Sequence, residues 1–171
     1  MEKGYVHVYT GNGKGKTTTM LGLTLRATGA GFRVYIGQFL KSGEYSEVKA
    51  LKQLRGVEIE QYGEVGFIIN GATEKDIKIA RAGFCKAKAA IYSGQYDVIM
   101  LDEINVAVDL GLIDVQEVVD LIKEKPLNVE LVLTGRNAAP KIIEAADLVS
   151  EIMEVKHYYN AGVMARVGIE D

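Results

Sequence analysis

The chain has one cysteine, two prolines and no tryptophan among its 171 residues. With Cys85 alone, no intrachain disulfide can form, and a reducing compartment is expected. No apolar run approaches the roughly 18 residues that a helical membrane span needs, so none is expected. An excess of basic charge is missing too. Twenty Lys and Arg face 23 Asp and Glu, a net charge of −3. That balance argues against a generic nucleic-acid or anionic-membrane binder and leaves room only for a local basic pocket. Repeats, low-complexity tracts and linkers are absent, so a single domain over residues 1–171 is expected. Met1-Glu2-Lys3-Gly4-Tyr5-Val6 leads straight into a strand with no apolar signal segment before it, which reads as a cytoplasmic chain complete at its N-terminus. Apolar residues make up 48% and charged residues 25%, the balance of a globular protein that buries a core.

What is present is an alternation of short β-rich runs with longer helical stretches. Strands are expected at 5–9, 33–39, 57–61, 97–102, 129–134 and 148–155. Helices are expected at 17–28, 46–54, 73–93, from Asp114 to just before Pro126, and at 140–146. Thr73 followed by Asp76, and Asp114 followed by Glu117, have the spacing of capping boxes. Ile77, Ala80, Phe84, Ala87 and Ile91 share one helical face. Val98 to Leu101 is continuously apolar, as a parallel strand covered on both sides requires. Such a series predicts an α/β fold with a mostly parallel sheet and helices on both faces.

The strongest chemical signal is Thr10-Gly11-Asn12-Gly13-Lys14-Gly15-Lys16-Thr17-Thr18-Thr19, which follows a strand and opens a helix. Glycines let successive N–H groups turn inward around an anion, and the helix N-terminus adds positive potential. Lys16 is placed to reach phosphate oxygens and the Thr17 hydroxyl to take a place on Mg²⁺ (or Mn²⁺). The strict pattern asks for Gly where this chain has Thr10. Lys14 is a further cation that either contacts phosphate or points to water. The second signal is Val98-Ile99-Met100-Leu101-Asp102-Glu103, an apolar strand ending in carboxylates, the usual metal-side partner of such a loop. Because neighbours on a strand face opposite ways, one of Asp102 and Glu103 is expected on the metal and the other on a neighbour, unless the strand has already ended. Together these predict a P-loop NTPase-like, RecA-like domain. No Asn-Lys-x-Asp guanine reader follows the strands, and Gly11 stands where the partitioning ATPases need Lys, so ATP is the expected nucleotide.

Several stretches in order then carry a resemblance: Val8 to Thr18, Arg26 to Gly31, Gln38-Phe39-Leu40-Lys41, Leu101-Asp102-Glu103, Leu133-Thr134-Gly135-Arg136, and Val155 to Val163. The chain resembles the ATP:corrinoid adenosyltransferases, the cob(I)yrinic acid a,c-diamide or cob(I)alamin enzymes built on a phosphate-loop fold. Thr10 is itself typical of them. The resemblance implies transfer of the 5′-deoxyadenosyl group of ATP to Co(I) of a reduced corrinoid, with release of triphosphate. ATP would lie reversed in the loop relative to most phosphate-loop enzymes.

As implied by the resemblance, Lys16 and Thr17 are the catalytic candidates. Gly11, Asn12, Gly13, Lys14, Gly15, Lys16, Thr17, Thr18, Gln38, Lys41, Phe67 and Arg136 are the binding candidates. Thr17, Asp102 and Glu103 are the metal candidates. Co(I) brings its own nucleophilicity, so no general base is needed. His7 reads as a satisfied sheet residue. His157 reads either as a ligand contact or as an organiser of the tail. A reduced flavin or flavoprotein as electron donor and a homodimer are implied as well. The family's Gly-Phe-Thr-Trp segment against the corrin ring is here Gly66-Phe67-Ile68-Ile69. The N-terminal helical extension that covers the site in some members is not expected here, and Asn160 stands where an acidic residue is common. A small-molecule or nucleoside kinase, and a non-catalytic ATP-binding relative that has lost corrinoid binding, remain the alternative readings.

Overall fold

The computed structural model describes residues 1–64 and 71–170. Six strands form one sheet: β1 Val6–Thr10, β2 Val34–Phe39, β3 Val57–Tyr62, β4 Val98–Asp102, β5 Glu130–Thr134 and β6 Leu148–Glu151. Their order is β3-β2-β4-β5-β1-β6, and every neighbouring pair is parallel. A parallel sheet is covered by helices on both faces, so its central strands are apolar on both sides. β2 and β4 meet that demand, being buried at every position.

Six α-helices connect the strands: α1 Lys16–Gly29, α2 Ser46–Leu51, α3 Glu74–Tyr92, α4 Ile104–Asp109, α5 Val115–Glu124 and α6 Pro140–Ala145. They divide between the faces as alternation dictates. Val8, Ile99, Leu101, Leu131 and Leu133 pack with Phe84 and Ile91 of α3, Ile104 of α4, Val118 of α5 and Ile142 of α6. Tyr9, Val34, Ile36, Met100 and Val132 pack with Met20 and Ala27 of α1 and Leu51 of α2. Ile36 and Ile99 are wholly buried, and burial of each such side chain contributes roughly 1.5–3 kcal/mol. The Thr24 hydroxyl, inside the α1 seam, donates to the Met20 carbonyl at 3.1 Å and approaches the Met100 sulfur at 3.0 Å, so its polarity is satisfied.

The capping box expected at α3 is present. The Thr73 side chain accepts from the Asp76 N–H, and the Asp76 carboxylate accepts from the Thr73 N–H. At α5 only half of the expected device forms. Asp114 accepts from the Gln116 N–H, while Glu117 turns outward to Arg81 on α3. Two further boundaries differ from the sequence expectation. The strand expected to reach 155 stops at Glu151, because β1 itself ends at Thr10 and Ile152, after donating to the Thr10 carbonyl, turns its own carbonyl to the Gly13 N–H of the loop. The helix α4 was not expected at all. It is only six residues long and begins from Glu103 in the left-handed region at φ 60°, a conformation glutamate rarely adopts. Its Ile104, Asn105 and Ala107 are fully buried, so packing, not propensity, makes the turn.

Candidate active site

Whereas Arg26 to Gly31 close α1 at the opposite edge of the sheet, the phosphate loop, Lys41, Glu103, Arg136 and His157 converge on its C-terminal edge, where open α/β sheets bind ligands. A cavity of about 610 Å³ lies there, lined by the loop residues Asn12 to Thr18 with Lys41, Glu103 and Arg136. Ser46 and Glu47 at the start of α2 also line it, as do Glu154, His157 and Gly168 to Glu170 from the C-terminal tail.

The glycines of the loop serve different ends. A Cβ at Gly11 would stand 2.4 Å from the Ile152 oxygen, and one at Gly13 2.7 Å from Met153 backbone. Both are needed because the segment after β6 lies against the loop, where Gly13 N–H donates to the Ile152 carbonyl at 2.7 Å. Gly15 is needed for its φ of 126° and opens onto free space. It caps α1 without a side chain, so the first N–H groups of the helix stay available to an anion. Thr10 is the last residue of β1, and its hydroxyl accepts from the Ala138 N–H at 3.2 Å. That bond to the β5–α6 connection gives Thr10 a function that Gly could not supply.

Lys16 is buried and donates to the Gly13 carbonyl at 2.9 Å. Burial depresses its pKa, with Glu103 and Asp102 pulling the other way. Thr17 donates through its hydroxyl to Asp102 Oδ1 at 3.0 Å. Asp102 is fully buried and accepts from three more groups: the Thr134 hydroxyl at 2.6 Å, Gln38 Nε2 at 3.2 Å and Lys41 Nζ at 2.8 Å. For Lys41, burial disfavours the charge, but the charge and hydrogen bond of Asp102 outweigh it and the pKa rises. The strand ends at Asp102, and the left-handed turn brings Glu103 to the cavity wall. Its N–H donates to Thr134 Oγ1 at 3.0 Å. Burial and the neighbouring Asp102 charge raise its pKa.

Arg136 follows Gly135, which adopts a φ of 128°, and its side chain is exposed at the cavity rim. Asn12 and Thr18 are exposed on the same wall. Lys14 has neither of its two expected surroundings. Its ammonium is held by the tail, through the Tyr158 hydroxyl at 3.1 Å, the Ile169 carbonyl at 2.9 Å and Glu170 at 2.9 Å. Glu170 is bound in turn by Arg166 and Tyr158, and hydrogen bonds from Arg166, Lys14 and Tyr158 hold its carboxyl well below the usual range. His157 both lines the cavity and orders the tail, since its Nδ1 accepts from the Tyr159 N–H at 3.0 Å. His7 is a satisfied sheet residue, 2.6 Å from Glu130. Phe67, with Ile69, lies outside the described residues.

His157 of the tail wall was singled out from sequence, whereas Glu154, Gly168 to Glu170 and the α2 start were not. The last residues of the tail lack a periodic pattern. Among the described residues no group of three or more His, Cys, Asp or Glu could hold a metal by itself. The Thr17 and Asp102 oxygens do fit Mg²⁺, a hard ion that takes one or two protein oxygens together with substrate phosphates.

A model of the ATP:corrinoid adenosyltransferase BtuR/CobO/CobP family matches residues 2–170. The corrinoid adenosyltransferase of Escherichia coli K12 is 36% identical over 170 residues, 99% of this chain and 86% of that protein. That of a Sinorhizobium species is 36% identical over 173 residues, covering 99% and 81%. Corrinoid adenosyltransferase CobA of Salmonella typhimurium is 34% identical over 170 residues, covering 99% and 86%. Among solved structures, the cytoplasmic domain of EssC aligns with a TM-score of 0.56 at 16% identity. It takes in 96% of this chain, which spans 34% of that one, and the likeness shows the fold alone.

Proposed function

This chain belongs to the ATP:corrinoid adenosyltransferase family, and from that premise we propose how its own residues carry the transfer. The enzyme adenosylates a corrinoid at the expense of ATP. The supporting observation is the convergence of Lys16, Thr17 and the uncapped start of α1 on one cavity, with Asp102 buried behind Thr17 at 3.0 Å. A kinase loop positions one phosphoryl group for transfer. Here the loop grips the whole leaving group, since the bond that breaks joins C5′ to the triphosphate oxygen. The Co(I) electron pair forms the Co–C5′ bond, and the bonding pair departs with triphosphate.

The loop N–H groups and Lys16 stabilise the charge that grows on the departing oxygen. Lys16 suits this because burial leaves its ammonium poorly solvated and in need of an anion. Thr17 and Asp102 would hold Mg²⁺ (or Mn²⁺), which would neutralise phosphate charge. Arg136, Asn12 and Thr18 complete the polyphosphate and sugar contacts, Lys14 ties the loop to the tail, and Gln38 and Lys41 keep Asp102 in place. Glu103 lies beside the same carboxylate on the cavity wall. Phe67 is assigned to the corrin side.

The substrate is of the cob(I)alamin or cob(I)yrinic acid a,c-diamide type, reduced by a flavin or flavoprotein. A homodimer is supported by the exposed apolar side chains of β6 and the segment after it, Leu148, Val149, Met153 and Val155. The lone Cys85, exposed on α3, suits the cytoplasm.

The test is incubation with ATP, Mg²⁺ and chemically reduced corrinoid. A light-sensitive adenosylated product and inorganic triphosphate are expected in equal amounts. Lys16→Met should lower kcat by about 10²–10³, the cost of one lost charge-stabilising donor. Release of ADP, or no turnover, overturns the reading.

A further inference from the structure

Asp102, Gln38 and Gln61 stand in one row across β4, β2 and β3. Gln38 is the direct register partner of Asp102 on one side and of Gln61 on the other. Their side chains form a chain of hydrogen bonds with only one possible polarity. A carboxylate can only accept, so Gln38 must turn its amide nitrogen to Asp102 Oδ2, 3.2 Å away. Its oxygen then faces β3, where it accepts from Gln61 Nε2 at 3.1 Å. Gln61 thereby turns its own oxygen outward, and that oxygen accepts from the Gly43 N–H at 3.2 Å. Gly43, at φ 132°, lies in the loop that carries Lys41 and leads to the cavity residues Ser46 and Glu47.

We propose that Gln61 is a positioning residue of the transfer site, fixing the Gln38 amide and tying the Lys41–Ser46 wall to the Asp102 carboxylate. The inference rests on the reading of Asp102 as the metal-side carboxylate. Gln38 is fully buried, so nothing from solvent can set its amide. Gln61 is half-buried on the edge strand and touches no group that meets the triphosphate. Without the Gln61 donor the buried Gln38 oxygen is left unpaired, and the amide loses the contact that holds its nitrogen squarely against Asp102 Oδ2.

Two variants separate this role from simple packing. Gln61→Glu is nearly isosteric but offers only acceptors, so it draws the Gln38 nitrogen toward β3 and leaves oxygen facing oxygen at Asp102. Gln61→Leu removes both the donor to Gln38 and the acceptor of the Gly43 N–H, without drawing the Gln38 nitrogen away from Asp102. Calorimetric titration of the full chain with ATP, with and without Mg²⁺, reads the metal-dependent part of binding without turnover. That part should weaken about threefold to tenfold in Gln61→Leu, the effect of one ordinary hydrogen bond, and further in Gln61→Glu. Binding without Mg²⁺ should stay within twofold. A packing role predicts the opposite order, with the isosteric Glu closest to wild type, and that order overturns the proposal. Asp102→Asn is the control. If it keeps full Mg²⁺ dependence, the carboxylate reading falls and this proposal with it. If it loses that dependence while Gln61→Glu does not, the role of Gln61 alone is refuted.

Discussion

Removing the carboxylate at position 102 should destabilise the nucleotide-free protein, even though it takes a charge out of a ligand site. Asp102 is 0% exposed and serves four donors at once. In Asp102→Asn the new amide can turn its nitrogen to Thr17 and Thr134, whose hydroxyls rotate to accept. Its oxygen can keep Gln38. The ammonium of Lys41 has no such remedy, because its counterion at 2.8 Å is gone. Breaking a buried pair by deleting one partner costs about 3–5 kcal/mol. Lys41 keeps 21% of its side chain exposed and regains some water, which puts the loss near the lower end, about 3 kcal/mol. For a chain of this size that is roughly 6–12 °C in Tm.

Scanning calorimetry without nucleotide or metal measures it. Lys41→Met combined with Asp102→Asn removes both charges, so the double variant should lose clearly less than the two single losses added together. A Tm for Asp102→Asn at or above that of wild type would refute the reasoning. It would mean that the pair is held together against its own cost, for ligand binding only.

Two other outcomes follow from the packing around Tyr62. A Cβ at Gly83 of α3 would lie 2.2 Å from the Tyr62 ring, so Gly83→Ala should cost about 1–3 kcal/mol despite the better helix propensity of Ala, read as a fall in urea midpoint at unchanged m-value. The buried Tyr35 hydroxyl bonds that of Tyr62, and burial pushes its pKa up to about 12; burial and the bond to Glu58 do the same for Tyr96. Because these folded-state values lie above the ordinary one, the unfolded chain ionises first. Their contribution is therefore present below about pH 10 and is lost as pH rises toward about 12. Tyrosinate absorbance should show a late step that coincides with loss of the far-ultraviolet signal, and a step completed near pH 10 with the fold intact would contradict the burial.

The sheet was legible because each strand carries its own local mark. Continuous apolar runs such as Val98 to Leu101 demand cover on both faces, and the Thr73–Asp76 box closes within four residues. The phosphate loop was legible for the same reason, since its glycines, Lys16 and Thr17 are consecutive. Elements set by distant partners were not. Helix α4 exists because Ile104 and Ala107 find the core, and Glu103 accepts a left-handed turn to allow it.

The amino-acid sequence by itself determined the order of strands and helices, the anion-binding loop and the family. Tertiary structure alone decided which groups meet: Asp102 with Lys41 and Thr134, Lys14 with Glu170, and Gln61 with Gln38. The physical reason is range. Backbone conformation and hydrophobic period act over a few residues, whereas a buried carboxylate chooses partners from whatever strands the folded sheet lays beside it.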